Sequence, residues 1–293
     1  MDHDNPTIGI LYPGELGAAL GRILMASGRR VITALEGRGP RTQRLCREVG
    51  LEVAASFAEV VRRADVVFSA VPPSAALAVA EQYSATVGGE HRLYVDVNSI
   101  SPETVARIGR MVQAAGADFV DAAVLGLAAR LPAQGALFLS GPDALGVAAL
   151  FEEPLRVRVV GKTPGQASAL KSALAGLNKG LAALFFEVGV LAHEAGLSAA
   201  FLQECAAYYP GLMEVIDRLA PTYPRHARRR ADEMAELEHT METRGLAPRM
   251  ALAARSVIAA AAESGWADAP GWTTAGVLEE LHRRGALRAR RQE

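Results

Sequence analysis

Lysine is nearly missing from this chain. Its 293 residues carry three lysines against 28 arginines, and all three, Lys162, Lys171 and Lys179, fall within eighteen residues. Arginine stays charged, whereas a lysine can be tuned by burial to exchange a proton near neutrality. A lysine retained in such a chain is therefore a candidate for chemistry that only an amine performs. Cysteine is almost as scarce. Cys46 and Cys205 lie far apart without metal-ligand spacing, which predicts reduced thiols, a cytoplasmic setting and no metal site. Aromatic residues make up only 5% and the formal net charge is -1, so the composition shows no pull toward nucleic acid. The opening residues, Met1-Asp2-His3-Asp4-Asn5-Pro6, are polar and acidic, unlike a signal or transit segment. The longest apolar run, from about 167 to 192, is interrupted by Lys171, Asn178, Lys179 and Glu187. That favours a buried helix over a membrane span.

What is present divides in two. Up to residue 162, short apolar runs alternate with helical stretches. Strands are expected at 7–12, 31–35, 66–70, 93–97, 119–124, 136–140 and 156–160, with helices at 18–26, 41–49, 57–63, 75–83 and 102–114. Strand alternating with helix implies a parallel sheet covered on both faces, an α/β dinucleotide-type domain over 1–162. From 163 to 293 no convincing strand appears, and an all-helical domain is expected. It opens on one long helix, about 166 to 195, that is apolar on nearly all sides. Such a helix must be covered all round, which predicts a homodimer. The basic clusters at 225–230 and 282–291 read as solvated helix faces and a charged tail. Tyr208, Tyr209, His226 and His239 read as packing or surface residues.

The motifs lie at the ends of the expected strands. The first strand runs into Tyr12-Pro13-Gly14-Glu15-Leu16-Gly17, a turn with the second and third glycines of a GxGxxG fingerprint and Tyr12 in place of the first. The physical need there is for backbone to approach a pyrophosphate closely at a helix N-terminus. Val71-Pro72-Pro73 closes another strand, Asp96-Val97-Asn98-Ser99-Ile100-Ser101-Pro102 a third, and Asp121-Ala122-Ala123-Val124-Leu125-Gly126 a fourth. Gly165 to Lys171 then opens the long helix.

This order resembles the β-hydroxyacid dehydrogenase superfamily, which includes 6-phosphogluconate and 3-hydroxyisobutyrate dehydrogenases. It is most similar to the branch that joins such an N-terminal domain to a poorly characterised helical C-terminal domain. The resemblance implies a Rossmann-type domain, a long interdomain helix and an NAD(P)-dependent oxidoreductase that interconverts an alcohol and a carbonyl. It places Pro13, Gly14, Glu15 and Leu16 under the cofactor pyrophosphate, Val71 and Pro72 beside its ribose, and Asn98 toward the nicotinamide half. It makes Lys171 the general acid/base.

Two departures bear on the substrate. Relatives carry Ser-Gly-Gly where this chain has Leu125-Gly126-Leu127, and an asparagine where it has Ala175. Gly126 can still offer backbone to a carboxylate, and Asn178, two turns beyond Lys171, is the remaining polar candidate for substrate contact. The expected substrate is a hydroxyacid-like small molecule other than 6-phosphogluconate. Cofactor choice rests on Glu36, which suits NAD, against Arg38 and Arg41, which suit the 2′-phosphate of NADP. Leu35 standing at the family's acidic position tilts the expectation to NADP. The alternatives are an imine reductase, disfavoured by the retained lysine, and a non-catalytic dinucleotide-binding protein.

Overall fold

The computed structural model of the chain describes residues 6–88, 92–263, 265, 266 and 271–288. The polar N-terminal residues 1–5 and the end of the basic run, 289–291, lie outside the described residues. The chain divides into two compact units, Met1–Lys171 and Ser172–Glu293.

The first unit is built on eight strands: β1 (Ile8–Leu11), β2 (Val31–Ala34), β3 (Glu52–Ala54), β4 (Val66–Ser69), β5 (Leu93–Asp96), β6 (Asp118–Leu125), β7 (Ala136–Ser140) and β8 (Arg156–Gly161). They form one sheet in the order β3-β2-β1-β4-β5-β6-β7-β8. The connecting helices are α1 (Glu15–Ala26), α2 (Pro40–Val49), α3 (Phe57–Arg63), α4 (Ala76–Thr86), α5 (Pro102–Ala114), α6 (Leu131–Gln134) and α7 (Ala144–Ala148). β1, β2 and β4 are buried at every position, as strands covered on both faces must be. Two apolar layers flank the sheet. One gathers Ile8, Ile10, Leu20, Phe68 and Leu139; the other gathers Leu11, Val60, Tyr83, Tyr94 and Phe119.

Two features depart from the sequence reading. β3 was not anticipated, because its exposed Glu52 and Val53 give a three-residue edge strand no apolar run to betray it. The sheet is also not wholly parallel, since β7 runs antiparallel to β6. The link from Leu125 to Ala136 holds only a 3-10 turn and a one-turn helix, too short to cross the sheet, so the chain must return from the same edge. α7 then carries the chain back to a parallel β8.

The chain order reverses between β1 and β4, and their C-terminal ends open a crevice at that switch point. The glycine turn stands there. Gly17 has no freedom to be anything larger, because a Cβ would sit 2.3 Å from the Tyr12 carbonyl oxygen. Gly14 is different: a Cβ there would meet nothing within 4 Å.

The long helix, α8 (Gln166–Glu194), begins in the first unit and supplies the second with its first element. The sequence reading put the change of character at 162; the unit boundary falls further on, because the first turn of α8 is tied to the sheet. The second unit continues with α9 (Ser198–Tyr208), α10 (Pro210–Leu219), α11 (Tyr223–Thr243), α12 (Arg249–Glu263) and α13 (Thr274–Arg283). Its core gathers Phe185, Phe186, Met213, Ile216, Tyr223, Ile258 and Leu281, with Phe186 edge-on to Tyr223. Gly176 and Gly189 let α8 approach Leu237 and Leu278 closely. α8 is not covered all round within the chain, however. Leu177, Leu184, Val188 and Leu191 are 60%, 52%, 40% and 69% exposed. By length and composition the helix could also cross a membrane, but the polar interruptions and Lys179, ion-paired to Glu233 at 2.9 Å, belong to a packed helix.

Candidate active site

Two buried carboxylates organise the C-terminal edge of the sheet. Asp96 ends β5 and Asp121 lies opposite it on β6. Asp121 serves the start of α8. Its Oδ2 accepts from the Gly165 amide at 2.9 Å, the Ser168 amide at 3.0 Å and the Ser140 hydroxyl at 3.0 Å. Its Oδ1 accepts from the Ser168 hydroxyl at 2.7 Å, and Ser140 Oγ in turn accepts from the Ala167 amide at 3.0 Å. A helix N-terminus carries unsatisfied amides and a partial positive charge, and a carboxylate from the sheet answers both. The first turn of α8 is thereby fixed to β6 and β7, and Lys171 follows it.

Lys171 is half-buried, and its Nζ donates to Ser99 Oγ at 2.9 Å. The sequence singled this amine out by its scarcity and by the family resemblance. Its observed neighbour is a hydroxyl at the exposed tip of the β5 loop. Asn98, next to it, is turned inward and only 3% exposed. Its Oδ1 accepts from the Val71 amide at 2.7 Å, while its Nδ2 donates to Ser69 Oγ at 3.1 Å and Asp96 Oδ2 at 3.0 Å. The Asn98 amide also donates to Asp96 Oδ1 at 2.9 Å. Asn98 thus braces the ends of β4 and β5 and leaves Ser99 as the polar side chain facing outward. Burial pushes the Asp96 carboxyl up to about 7, with the Asn98 hydrogen bonds and the Lys171 charge opposing. Neither Ser99 nor Asp96 was assigned a role from sequence. The signal was present for Ser99, which stands beside Asn98 in a run of small polar residues after a strand.

The glycine turn provides the other half of the site. Gly14 is the N-cap of α1 and supplies no capping side chain, so the first-turn amides of Glu15 and Leu16 face the crevice unassisted. With the open space over Gly14, this is the cradle a pyrophosphate requires, and the residues present fit a dinucleotide. Pro13 is buried beneath it. The Leu16 side chain packs into the core, and the Glu15 side chain pairs with Arg41. Val71 is half-buried and Pro72 exposed on the facing rim. At the end of β2, Glu36 is exposed and the Arg38 guanidinium lies over the Tyr12 ring, 4.1 Å from its centre.

Leu125 ends β6 and Gly126 follows it. Gly126 has φ +119, and a Cβ there would lie 3.1 Å from Gly135 Cα, so only glycine suits the position. Asn178 is half-buried further along α8. No cluster of His, Cys, Asp and Glu able to hold a metal occurs among the described residues.

The chain matches two family models: NADP oxidoreductase, coenzyme F420-dependent, over residues 7–99, and a domain of unknown function (DUF1932) over residues 192–261. It is 30% identical over 247 residues to an uncharacterized 28.5 kDa protein of Methanothermus fervidus, covering 83% of this chain and 94% of that one. Among solved structures it is 34% identical to the conserved protein MTH1747, described as structurally similar to 3-hydroxyacid dehydrogenases. That match covers 86% of this chain and 95% of the other with a TM-score of 0.74. Mycobacterium tuberculosis 3-hydroxyisobutyrate dehydrogenase shares the fold with a TM-score of 0.78 at 20% identity, covering 94% of this chain and 99% of that one. Imine reductases resemble it at TM-scores of 0.56 to 0.60. The sheet order, the glycine cradle at its switch point and these full-length likenesses agree: the chain belongs to the β-hydroxyacid dehydrogenase superfamily, in the branch that couples an NAD(P)-type Rossmann domain to a DUF1932 helical domain.

Proposed function

We propose that the protein is an NAD(P)-dependent oxidoreductase that interconverts an alcohol and a carbonyl, with Lys171 as its general acid/base. The observation that carries this reading is the Lys171–Ser99 pair, an amine held by a hydroxyl at the same sheet edge as the glycine cradle. A bound nicotinamide would supply or accept the hydride. In oxidation, neutral Lys171 Nζ takes the proton of the substrate hydroxyl; in reduction its ammonium returns that proton to the forming alkoxide. Ser99 Oγ orients the amine through the hydrogen bond it accepts, and the Asp121 anchor keeps the helix turn beneath the amine in place. Pro13, Gly14 and the amides of Glu15 and Leu16 would hold the pyrophosphate, and Val71 and Pro72 would line the ribose.

The substrate we infer is a hydroxyacid-like small molecule. The exposed backbone of Gly126 can bind a carboxylate, whereas Leu125 removes the hydroxyl that a more polar substrate would engage. Asn178, on the same helix, is the remaining polar candidate for substrate contact. These residues speak against 6-phosphogluconate as the substrate. An imine reductase is the alternative, but those enzymes match the fold less closely and general acid/base catalysis by lysine suits alcohol chemistry. Cys46 and Cys205 are unpaired, in keeping with a cytoplasmic enzyme. The exposed leucine face of α8 would be covered by a second copy, giving a homodimer; sedimentation showing a stable monomer at micromolar concentration would overturn this part.

The decisive experiment is Lys171→Met, assayed against a panel of β-hydroxyacids and their carbonyl counterparts. Turnover should fall roughly 100- to 10,000-fold while nicotinamide binding persists. Unaltered turnover removes Lys171 from the chemistry. If folded protein binds neither NADH nor NADPH, the oxidoreductase reading itself falls.

A further inference from the structure

Tyr12, standing where the fingerprint has its first glycine, and Arg38, just after β2, lie 26 residues apart in the sequence. The structure makes them one feature. β2 ends at Ala34, and the chain closes at once into a turn in which the Arg38 amide donates to the Leu35 carbonyl at 3.0 Å. Gly37 has φ +68 in that turn, a conformation other residues adopt at a cost. The turn folds Arg38 back toward the end of β1. There its guanidinium lies 4.1 Å from the centre of the Tyr12 ring, at the place a glycine would leave empty. Two further bonds hold it: Arg38 Nε donates to the Glu36 carbonyl at 3.2 Å, and Gln43 Nε2 donates to the Arg38 carbonyl at 2.8 Å. Arg38 is still exposed to solvent. Tyr12 is half-buried, and burial raises its hydroxyl above the usual tyrosine range.

The second candidate cation in this loop is engaged elsewhere. Arg41 pairs with Glu15 in the first turn of α1, so it reaches the helix and not the Tyr12 ring. The end of β2 therefore presents one arginine, already oriented, with an aromatic face beneath it and a neutral hydroxyl beside it. In open α/β sheets this is the position of the ribose nearer the adenine. A guanidinium in a fixed orientation binds a phosphate with little further ordering.

We propose that Tyr12 is a specificity-determining residue: its ring fixes Arg38 as the receptor for a phosphomonoester on the adenosine ribose, so the stack selects the phosphorylated nicotinamide cofactor over the unphosphorylated one. This rests on the oxidoreductase reading, in which a nicotinamide dinucleotide occupies the glycine cradle. Arg38 makes the contact with the phosphate, and Tyr12 acts by positioning it. The apparent defect in the glycine fingerprint is then the support of the specificity pocket.

The test is a titration of the whole chain with NADPH and with NADH, followed by nicotinamide fluorescence. The parent, Tyr12→Phe, Tyr12→Ala, Arg38→Gln and Arg41→Gln are compared, with thermal melts as the fold control. The parent should bind NADPH more tightly than NADH. Tyr12→Phe, which keeps the ring, should retain most of that preference. Tyr12→Ala should reduce the preference roughly fivefold, the loss expected when an exposed cation–ring contact disappears. Arg38→Gln should reduce it roughly tenfold or more, and in both variants NADPH affinity should fall more than NADH affinity. Should Tyr12→Ala prove unfolded, the contrast between parent, Tyr12→Phe and Arg38→Gln still decides whether the arginine is the receptor. A parent that prefers NADH overturns the inference and leaves the oxidoreductase reading intact. So does a folded Tyr12→Ala with unchanged preference, or a preference lost in Arg41→Gln and kept in Arg38→Gln. Binding of neither nucleotide by the folded parent is a different failure, because it removes the cradle's ligand altogether.

Discussion

Asp96 and Asp121 face each other across β5 and β6, both fully buried, yet the fold treats them in opposite ways. Asp121 is surrounded by donors from β7 and the first turn of α8, including two backbone amides that have no other partner in the helix. Among the described residues Asp96 accepts hydrogen bonds from Asn98 alone, and burial pushes its carboxyl up to about 7. One is a fastener whose charge is welcomed by a helix terminus. The other is a charge the interior tolerates poorly, and it sits beneath the loop that carries Ser99. Depth alone does not decide what a buried acid does; the number and charge of the groups aimed at it do.

The comparison breaks most readily at Asp121. Replacing it by Ala leaves the Gly165 and Ser168 amides and two serine hydroxyls without their acceptor. Urea denaturation should record a loss of about 3–5 kcal/mol. A loss under about 1 kcal/mol would mean that something else fixes the start of α8.

Asp96 should show itself through pH. An acid whose native pKa lies above its unfolded value near 4 is protonated more readily in the folded protein. Its contribution to stability is therefore present in acid and lost as the pH rises toward 7. The ceiling on that loss is on the order of 4 kcal/mol. Relative to the parent, Asp96→Asn should flatten the fall in unfolding free energy between about pH 4 and 7. Parallel profiles for the two proteins would show that Asp96 does not carry the proton.

Glu52 sharpens the contrast from the surface. Arg30, donating from Nε at 2.9 Å, and Arg63 hold its carboxyl down at about 2. The sign is reversed here: the stabilisation exists above the unfolded value and is lost as the pH falls through about 2. Because the group is exposed, Glu52→Gln should cost under about 1 kcal/mol at neutral pH, and less in high salt. A larger, salt-insensitive cost would show that the edge strand depends on this cluster.

The Rossmann architecture was legible because it is written in local signals. Buried strands such as Ile8–Leu11 are continuous apolar runs, and Ser101-Pro102 announces the start of α5 with a capping side chain and a proline at the first helical position. β3 was not legible because Glu52-Val-Ala54 relies on pairing with β2 for its identity as a strand. The reversal of β7 could have been inferred from the short 126–135 link, since a parallel return needs a longer crossover. In the site, Lys171 stood out by scarcity and Gly14 by motif. The Asp121 fastener joins residues 44 and 47 positions apart, and no period or spacing in one sequence connects them. The stack of Arg38 on Tyr12 was hidden for the same reason, although both residues had been noticed singly.

The scarcity of lysine has a practical side. The three side-chain amines occupy three distinct settings: Lys162 exposed, Lys171 half-buried against Ser99, and Lys179 only 8% exposed in its ion pair with Glu233. An acylating reagent would meet them in that order, so mass spectrometry of labelled peptides could follow Lys171 almost without background. The chain carries a built-in reporter at the position where its chemistry is expected, and substrates could be sought by the protection they give to a single amine.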